Sequence, residues 1–539
     1  MYFLYAYITS NTAHILDLKD IFYKKTKIFP QKKAFVKILT HIKKHLANII
    51  LNIIIGVYML TKKYVYGSLA LAVMLACGSA QAEEVTKYID ASAENYTSAD
   101  DVNYTGNVKY GIYATAVKTV DLTGKNINFN ISADDSSNPY VGVQSIANSN
   151  SGGGLVNLGG ENTKNITLDV KHTGSNFAIG VWAHKASGVN SKDPSKIVVS
   201  GENFTINAHS DKSAAIGLRA QNCTDNETAL NGSGGEAGRS TIIVNAKNTV
   251  INVTSGYTKP IDGEYVNIGI MNYSQGKVEI NNNLTINAGT AISTRGYAET
   301  KINEDGKGTV KINGDISFNV THDGNSGLVA NSTVNIKLTN KDSYLNGNII
   351  WTLSGSPEGV DMTVNNMNMT LENGGTWNTN ADSFVNNLTL DGGIINAKSE
   401  KQTITVDKLK GNGNVNLAAT TDGESITAGK VVITDGTDAT LNTTFTGITA
   451  DDIKNVDKAL ESIKDNVTNV AHSNTITEGD INGAITQNVD AKGNAGTVTV
   501  ASNTKIDGYG IALGLATAQW RHELNSLSKR LGELRSAKD

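Results

Sequence analysis

Short segments in which apolar and polar residues alternate fill most of the chain from Glu83 to about Asn340. Many of these segments open at Asn or Asp and then place an aliphatic or aromatic residue at every second position, as in Asn126–Phe129 and Asn203–Ile206. Because successive side chains of a strand point to opposite sides, this period predicts β-strands with one buried face.

A glycine between two apolar residues recurs among these strands. The copies centre on Gly111, Gly142, Gly180, Gly217 and Gly269. Together with the alternating segments, they indicate one structural unit that the chain repeats.

The strand openings repeat at the spacing of such a unit. Asn126, Asn165 and Asn203 lie 39 and 38 residues apart, and the later openings at Asn283 and Asp315 drift from this spacing. Repeats of this length are typical of solenoids and propellers. A propeller would need an aromatic blade signature, which the sequence lacks. The sequence therefore predicts an all-β, right-handed parallel β-helix of roughly 20 residues per coil, with asparagine side chains stacked between coils.

Two stretches without strand alternation, Ser149–Gly160 and Asn222–Arg239, are predicted to be loops. Thr449–Val470 changes to a helical period and predicts a short helical insertion that Thr449 and Asp452 can cap. Its apolar stripe comprises Ile453, Val456, Leu460, Ile463, Val467 and Val470. We expect this stripe to pack on the solenoid, and partner binding is the alternative.

The C-terminal stretch Gly508–Asp539 predicts a longer amphipathic helix. Its apolar positions recur at spacings of 4, 3, 4 and 3: Trp520, Leu524, Leu527, Leu531 and Leu534. Its basic positions are Arg521, Lys529, Arg530, Arg535 and Lys538. A basic amphipathic helix at this place is either a solvated end of the chain or a surface for a partner.

The N-terminal part differs from the rest. Residues 1–58 are basic and are either an extended leader or translation from a start upstream of the natural one. The second interpretation is favoured, because Met59 opens a complete signal peptide over 59–82. Its small-residue cleavage site is formed by Ala80 and Ala82, with cleavage predicted before Glu83.

Export would change the charge and the cysteine content. Residues 1–82 hold 11 of the 47 basic and 2 of the 51 acidic residues, so the exported chain carries 36 against 49, a net charge of −13. An acidic surface argues against nucleic acid as a partner. Of the two cysteines, Cys77 lies in the signal peptide, so Cys223 alone remains and no internal disulfide is expected.

Two segments resemble a known family. Asn368–Leu417 places a Gly-rich turn, a tryptophan, a Gly-Gly turn and a Gly-x-Gly turn between strands, and it resembles the C-terminal half of pertactin-like, type Va autotransporter passengers. The residues that carry this likeness are Trp377, Ser383, Gly392, Gly393, Gly411 and Gly413. Gly508–Arg535 resembles the linker that joins such a passenger to its translocator β-barrel.

The resemblance implies an exported protein without cofactors that acts by binding, as an adhesin or surface-interaction protein. Its expected partners are the translocator β-barrel, which this chain does not include, and a host-cell, glycan or matrix ligand. The outer membrane is reached through the barrel only. With a barrel the expected location is the cell surface or the exterior, and without one it is the periplasm.

The domain organisation predicted from these features has seven parts. They are the extension 1–58, the signal peptide 59–82, irregular β-helix repeats 83–340, a pertactin-like region 341–448, the helical insertion 449–470, cap strands 471–510 and the linker helix 511–539.

Catalytic motifs are missing from the sequence. It contains no GxSxG, HExxH, CxxC or P-loop pattern, and no Gly-Asp-Ser-Gly nucleophile turn. The histidines after the signal peptide form no ligand-spaced pair and are each predicted to be surface residues: His172, His184, His209, His322, His472 and His522. We therefore expect no enzyme. A polysaccharide lyase or hydrolase with paired carboxylates is one alternative, and a structural surface component without a specific ligand is the other.

Overall fold

A computed structural model describes residues 83–84, 87–134, 138–148, 152–186, 193–222, 238–257, 266–323, 327–329, 332–354 and 366–536. Within these residues, 35 strands join into one sheet that winds round an axis, and nearly all of their pairings are parallel. This confirms the prediction of an all-β, parallel β-helix.

The first strands in chain order are β1 Glu83–Glu84, β2 Ile89–Ala91, β3 Tyr96–Ser98, β4 Val102–Gly106, β5 Tyr110–Ala114, β6 Thr119–Leu122, β7 Asn126–Ala133, β8 Tyr140–Ala147, β9 Leu155–Leu158, β10 Asn165–His172, β11 Ala178–Lys185 and β12 Lys196–Val199. The next are β13 Asn203–Ser210, β14 Ala215–Asn222, β15 Thr241–Val244, β16 Asn248–Ser255, β17 Asn267–Tyr273, β18 Lys277–Ile280, β19 Asn283–Arg295, β20 Glu299–Ile302, β21 Val310–Asp323, β22 Gly327–Val329, β23 Thr333–Leu338 and β24 Tyr344–Asn346. The last elements are β25 Ile349–Ser354, β26 Asn366–Glu372, β27 Thr376–Thr379, β28 Ser383–Ala397, β29 Thr403–Thr421, β30 Ile426–Ala428, β31 Lys430–Thr446, α1 Val456–Ser462, β32 Val467–Thr468, β33 Ala471–Ile476, β34 Ile485–Val489, β35 Ala495–Val500 and α2 Thr504–Ser536.

Each coil contributes one strand to each of three faces. Face A runs through β4, β7, β10, β13 and β16. Face B runs through β5, β8, β11, β14 and β17. Face C runs through β6, β9, β12, β15 and β18. From β19 onward, strands of neighbouring faces merge into longer ones. β19 and β21 pass from face A to face B, and β28, β29 and β31 run through all three faces.

The core lies inside the three faces, and identical positions of successive coils stack in it. On face A, Ile127, Ile166 and Phe204 are aligned in neighbouring strands and are all buried. The alternating burial of β10, with every second residue buried, matches the period read from the sequence. One continuous apolar cluster extends from Ile89 to Ile485, and its burial is the main source of stability.

Asparagine side chains stack on the outside of face A, as predicted. A short ladder at the strand openings joins Asn126, Asn165, Asn203, Asn248 and Asn283. A longer one joins Asp169, Asn207, Asn252, Asn287, Asn313, Asn346, Asn378, Asn396 and Asn416. In both, each amide nitrogen donates to the side-chain oxygen of the preceding coil, so each coil is hydrogen-bonded to the next outside the backbone ladder.

The number of residues between consecutive ladder positions gives the length of each coil. Most coils are longer than the predicted length of roughly 20 residues. Consecutive members of the longer ladder are between 18 and 45 residues apart. Within this ladder, the two steps at Asn396, of 18 and 20 residues, are near the predicted length. Coils with larger steps carry insertions between faces.

The predicted loops are only partly correct. Ser149–Gly160 contains β9, which pairs with β6 and β12, so this segment belongs to face C. Asn222–Arg239 lies mostly outside the described residues.

The helical insertion is shorter than predicted. Ala450–Asp452 form a 3-10 turn, α1 covers only Val456–Ser462, and β32 follows. The expected cap is present, since the Asp452 carboxylate accepts hydrogen bonds from the backbone nitrogen and hydroxyl of Thr449, at 2.8 and 2.9 Å. Leu460 and Ile463 are buried in the core, so the apolar stripe packs on the solenoid.

Antiparallel strands follow the last parallel coil. β33 continues face A in parallel with β31, whereas β34 and β35 pair in antiparallel fashion. β35 is largely exposed. After it, α2 begins at Thr504, earlier than the predicted 511.

Candidate functional site

Face B carries a second buried cluster that is separate from the main core. Val141, Ile179, Ile216 and Ile268 occupy one row of successive coils. These residues are buried together with Met271 and Tyr273 and are flanked by Tyr110, Phe177 and Trp182. We call these nine residues the face B cluster.

Glycines create this cluster. Ile179 belongs to it, whereas Val181 belongs to the main core. Residues two apart on a regular strand share a side, so Gly180 between them marks an irregularity that turns the strand. Its equivalents in other coils are the glycines of the repeated sequence motif. At each of them the apolar residue before the glycine and the one after it lie on opposite sides of the sheet.

An aromatic and cationic stack lies beside the cluster. The rings of Trp182 and His184 stack with their centroids 4.7 Å apart. On the next coil the Arg219 guanidinium lies 4.6 Å from the centroid of the Trp182 ring. Arg219 also donates to Gln221 through Nε and Nη2, at 3.0 and 2.6 Å. Planar groups stacked in this way are fixed in orientation and can contact a ligand through their faces and edges.

A second stack of the same kind follows two coils later. Arg295 lies 4.3 Å from the centroid of the Tyr273 ring. The Tyr273 hydroxyl is 2.7 Å from the Ser293 hydroxyl, and Asn319 Nδ2 donates to both, at 2.8 and 2.9 Å. The sequence motifs gave no signal for either stack, because each arginine lies on a different coil from its aromatic partner and meets it only through the register of the coils.

Burial controls the charges in this region. Burial and, to a smaller extent, the positive charge of the nearby Arg219 together lower the pKa of His184 to about 4. Burial also lowers the pKa of Lys185, the last residue of the same strand. His184 is therefore neutral at physiological pH and is suited to hydrogen bonding and stacking.

The free energy of unfolding is expected to fall between pH 6.5 and pH 4 because of His184. The unfolded chain takes up this proton near pH 6.5, whereas the folded chain takes it up only near pH 4. Protonation therefore favours the unfolded state over this window, by up to roughly 3 kcal/mol. Chemical unfolding at pH 7 and pH 4 checks this, and His184→Gln should reduce the pH effect. His522→Gln, on the exposed helix α2, is the matched control; equal pH effects in all three proteins would contradict the role of His184.

The family-like residues are structural in this fold. Trp377 is fully buried in the core, as predicted, and its indole nitrogen donates to the Gly347 carbonyl at 3.0 Å. Ser383 is also buried, and its hydroxyl accepts a hydrogen bond from the Ile349 backbone nitrogen. Gly392 and Gly411 have positive φ angles of 69° and 81°, which explains why glycine stands there.

The two neighbouring glycines of that region are required for space. A Cβ on Gly413 would lie 2.7 Å from Cδ1 of Leu390 and 3.0 Å from the Gly393 carbonyl oxygen. A Cβ on Gly393 would overlap Leu371. These residues therefore allow close coil packing.

The start of the linker helix α2 is fixed to the end of the solenoid. Asn503 accepts hydrogen bonds from the backbone nitrogens of Lys505 and Ile506, so it caps the helix. Its own amide donates to the carbonyls of Gly479 and Asn482, both at 3.1 Å.

A carboxylate holds the same turn from the other side. Asp451 accepts hydrogen bonds from the backbone nitrogens of Asp480, Ile481 and Asn482. The bonds from these nitrogens, that of Asn482 most of all, lower the pKa of Asp451.

The described apolar side chains of α2 are exposed. Trp520, Leu524, Leu527 and Leu531 are between 47% and 68% exposed. Arg521 and Arg530 are exposed as well, and Leu534 and Arg535 lie in the helix, with side chains outside the description. Large exposed apolar side chains in one row indicate a surface for a partner.

Several histidines differ from the prediction of surface positions. His172 and His472 are buried, and burial lowers the pKa of His472. His209 is partly exposed, in agreement with the prediction, and contacts Asp211 at 2.6 Å and Thr254 at 2.7 Å. The polar sequence neighbours of His172 and His472 gave no sign of burial, because the cover comes from other coils. The side chain of His322 lies outside the description.

Ala80 and Ala82 of the predicted cleavage site lie outside the described residues, and Glu83 is in β1. Among the described residues, no three His, Cys, Asp or Glu side chains are arranged to hold a metal ion. No described helix has the length and apolar character needed to cross a membrane.

The fold and surface define the chain as a long parallel β-helix with outward-facing aromatic clusters and an exposed C-terminal helix. No protein-family model, curated protein or solved structure matches it.

Proposed function

We propose that the chain is the exported passenger of a pertactin-like autotransporter and that it acts at the cell surface by binding rather than by catalysis. The observation that carries the proposal is the C-terminal arrangement. Antiparallel strands close the solenoid, Asn503 fixes the start of α2 to them, and the apolar row of α2 then lies exposed. Such a helix is suited to a partner that surrounds it, and we propose a translocator β-barrel as this partner.

The contacts that join the coils of the solenoid support a function outside the cell. Its coils are joined by backbone ladders and by asparagine ladders, neither of which needs a disulfide or a cofactor. Stability in such a protein comes from contacts between neighbouring coils. This suits a chain that leaves the cell unfolded and folds outside.

The surface of face B supports the binding part of the proposal. Two stacks, one with Trp182 and Arg219 and one with Tyr273 and Arg295, combine aromatic rings with cations. Aromatic residues and arginine are the types most enriched at energetically important points of interfaces. Because they sit on rigid strands, they can bind without first becoming ordered.

Display on a cell tests the proposal. A translocator β-barrel is joined after Asp539, and the chain is expressed from Met59 in a Gram-negative host. We expect externally added protease to reach the passenger on intact cells. We also expect these cells to bind at least one glycan or matrix protein on an array, compared with cells that display the barrel alone.

The outcomes separate the alternatives. Retention of the passenger in the periplasm behind a folded barrel would contradict its assignment as a passenger. Release of unsaturated or reducing ends from polysaccharides would favour the enzyme. Display without binding to any array component would favour the structural surface component.

A further inference from the structure

Face B is interrupted between two coils near its C-terminal end. β21 pairs with β25, and further on β28 pairs with β29 from Ser383 onward. Among the described strands, no pairing joins β25 to the start of β28. Instead, the Ile349 backbone nitrogen donates to the Ser383 hydroxyl at 3.2 Å. The Ser383 side chain thus accepts the hydrogen bond that a backbone carbonyl would accept in a regular ladder. The backbones of β25 and the start of β28 are therefore not paired. We call this break the seam.

An open pocket of about 310 Å³ lies in the seam. This volume is at the lower end of the range for small-ligand sites. The residues that matter for recognition are Ile350, Trp351, Asp382, Phe384, Thr403 and Thr405. They come from both sides of the break, so the interrupted pairing itself forms the pocket.

Two aromatic rings form rigid walls. Trp351 is stacked on the buried Phe318, with ring centroids 4.9 Å apart and planes 15° apart. Phe384 meets Trp351 at 85°, with centroids 5.2 Å apart. Phe318 therefore fixes the indole, and the two lining rings stand at right angles to each other.

The polar groups of the pocket are capable of further hydrogen bonds. The indole nitrogen of Trp351 is buried and exposes no surface to the pocket, so Trp351 contributes only its ring. One oxygen of the exposed Asp382 accepts from the Thr403 backbone nitrogen at 2.7 Å. Its second oxygen and the hydroxyls of Thr403 and Thr405 add acceptors and donors on the other side.

We infer that the seam pocket binds one neutral pyranose ring of a glycan. This inference rests on the proposed binding function and names its ligand class. A pyranose presents an apolar face, which suits Trp351 and Phe384, and hydroxyls that both donate and accept, which suit Asp382 and the hydroxyls of Thr403 and Thr405. The described lining residues include a carboxylate and no cation, so acidic sugars and phosphate groups are disfavoured.

Two other occupants fit less well. An extended peptide strand would need about 4.8 Å on each side, whereas Ser383 already reaches Ile349 across the seam. A quaternary ammonium group would suit two aromatic rings and a carboxylate. It would form no hydrogen bond with the hydroxyls of Thr403 and Thr405, whereas sugar hydroxyls can donate to them and accept from them.

Binding to simple sugars tests the inference. The whole chain is titrated with methyl glycosides of glucose, galactose, mannose and N-acetylglucosamine, and with choline as the rival probe. Saturation-transfer NMR detects contact, and calorimetry gives the Kd. At least one methyl glycoside should bind with a Kd on the order of 1 mM, which corresponds to a weak single-site affinity, and choline should not bind.

Variants locate the site. Asp382→Asn, at an exposed position, and Phe384→Leu, which keeps an apolar side chain, should each weaken binding by roughly tenfold. Asp391→Asn and Tyr344→Leu are the matched controls on other parts of the surface and should bind as wild type. An unchanged far-UV circular dichroism spectrum and unfolding midpoint show that each variant is folded. If Phe384→Leu does not fold, Asp382→Asn still tests the site.

Three results would overturn the inference: no methyl glycoside binds, choline binds in their place, or the pocket variants bind sugar as wild type does. These results differ from failure of the proposed function. A displayed passenger that binds its array ligand equally well with and without Asp382→Asn would refute the pocket and leave the binding function intact.

Discussion

A Trp377→Ala variant is expected to lose about 3–5 kcal/mol of unfolding free energy, the usual cost of removing a fully buried tryptophan. Trp377 is 0% exposed and stacks between Leu345 of the preceding coil and Ile395 of the following one. Its loss would leave a cavity between coils and remove the hydrogen bond to the Gly347 carbonyl. Denaturant unfolding followed by far-UV circular dichroism measures the change.

Trp520→Ala is the matched control for that variant. Trp520 is 68% exposed on α2, outside the solenoid. An exposed site of this kind should change the unfolding free energy by no more than about 0.5 kcal/mol. Similar effects of the two substitutions would contradict the burial of Trp377.

A Gly180→Ala variant is expected to lose about 3 kcal/mol, the upper part of the range for overpacking. The added Cβ would lie 2.5 Å from Cγ2 of Ile206 and 2.6 Å from the backbone oxygen of Gly217. The second contact is with backbone of the next coil, so it can be relieved only by moving the coils apart.

Gly508→Ala provides the control for the glycine row. A Cβ at Gly508, in the first turns of α2, meets nothing within 4 Å. Alanine favours helix there, so the variant should be as stable as wild type or more so by up to about 1 kcal/mol. A well-tolerated Gly180→Ala would show that the coils do not approach as closely as described.

Local patterns explain why much of the fold was predictable. β7, β10 and β13 begin at Asn126, Asn165 and Asn203, the residues read as strand openings. Their alternation follows from one buried face, which a sequence shows directly. The asparagine ladders were predictable for a related reason, because corresponding positions of successive coils stack even where the coils differ in length.

Contacts between coils explain what the sequence did not reveal. Trp182 meets Arg219, and Trp351 meets Phe384, only because insertions of different length still bring the coils into register. His172 is buried by neighbours on other coils, among them Tyr140 at a centroid distance of 5.0 Å. Thr449–Val470 had a helical stripe, yet its residues reach the core through a 3-10 turn, α1 and β32 in succession. The spacing of the apolar residues predicted which of them are buried, but it did not predict the backbone conformation of the segment.

Distances along one row of face A test the coiled architecture most directly. Spin labels are placed at Thr205→Cys with Thr376→Cys, five coils apart, and at Thr205→Cys with Asn442→Cys, eight coils apart, in a Cys77→Ser, Cys223→Ser background. With a coil spacing of about 4.8 Å, double electron–electron resonance should give main distances of about 24 Å and about 38 Å. Equal distances for the two pairs, or a shorter distance for the second, would contradict the parallel β-helix.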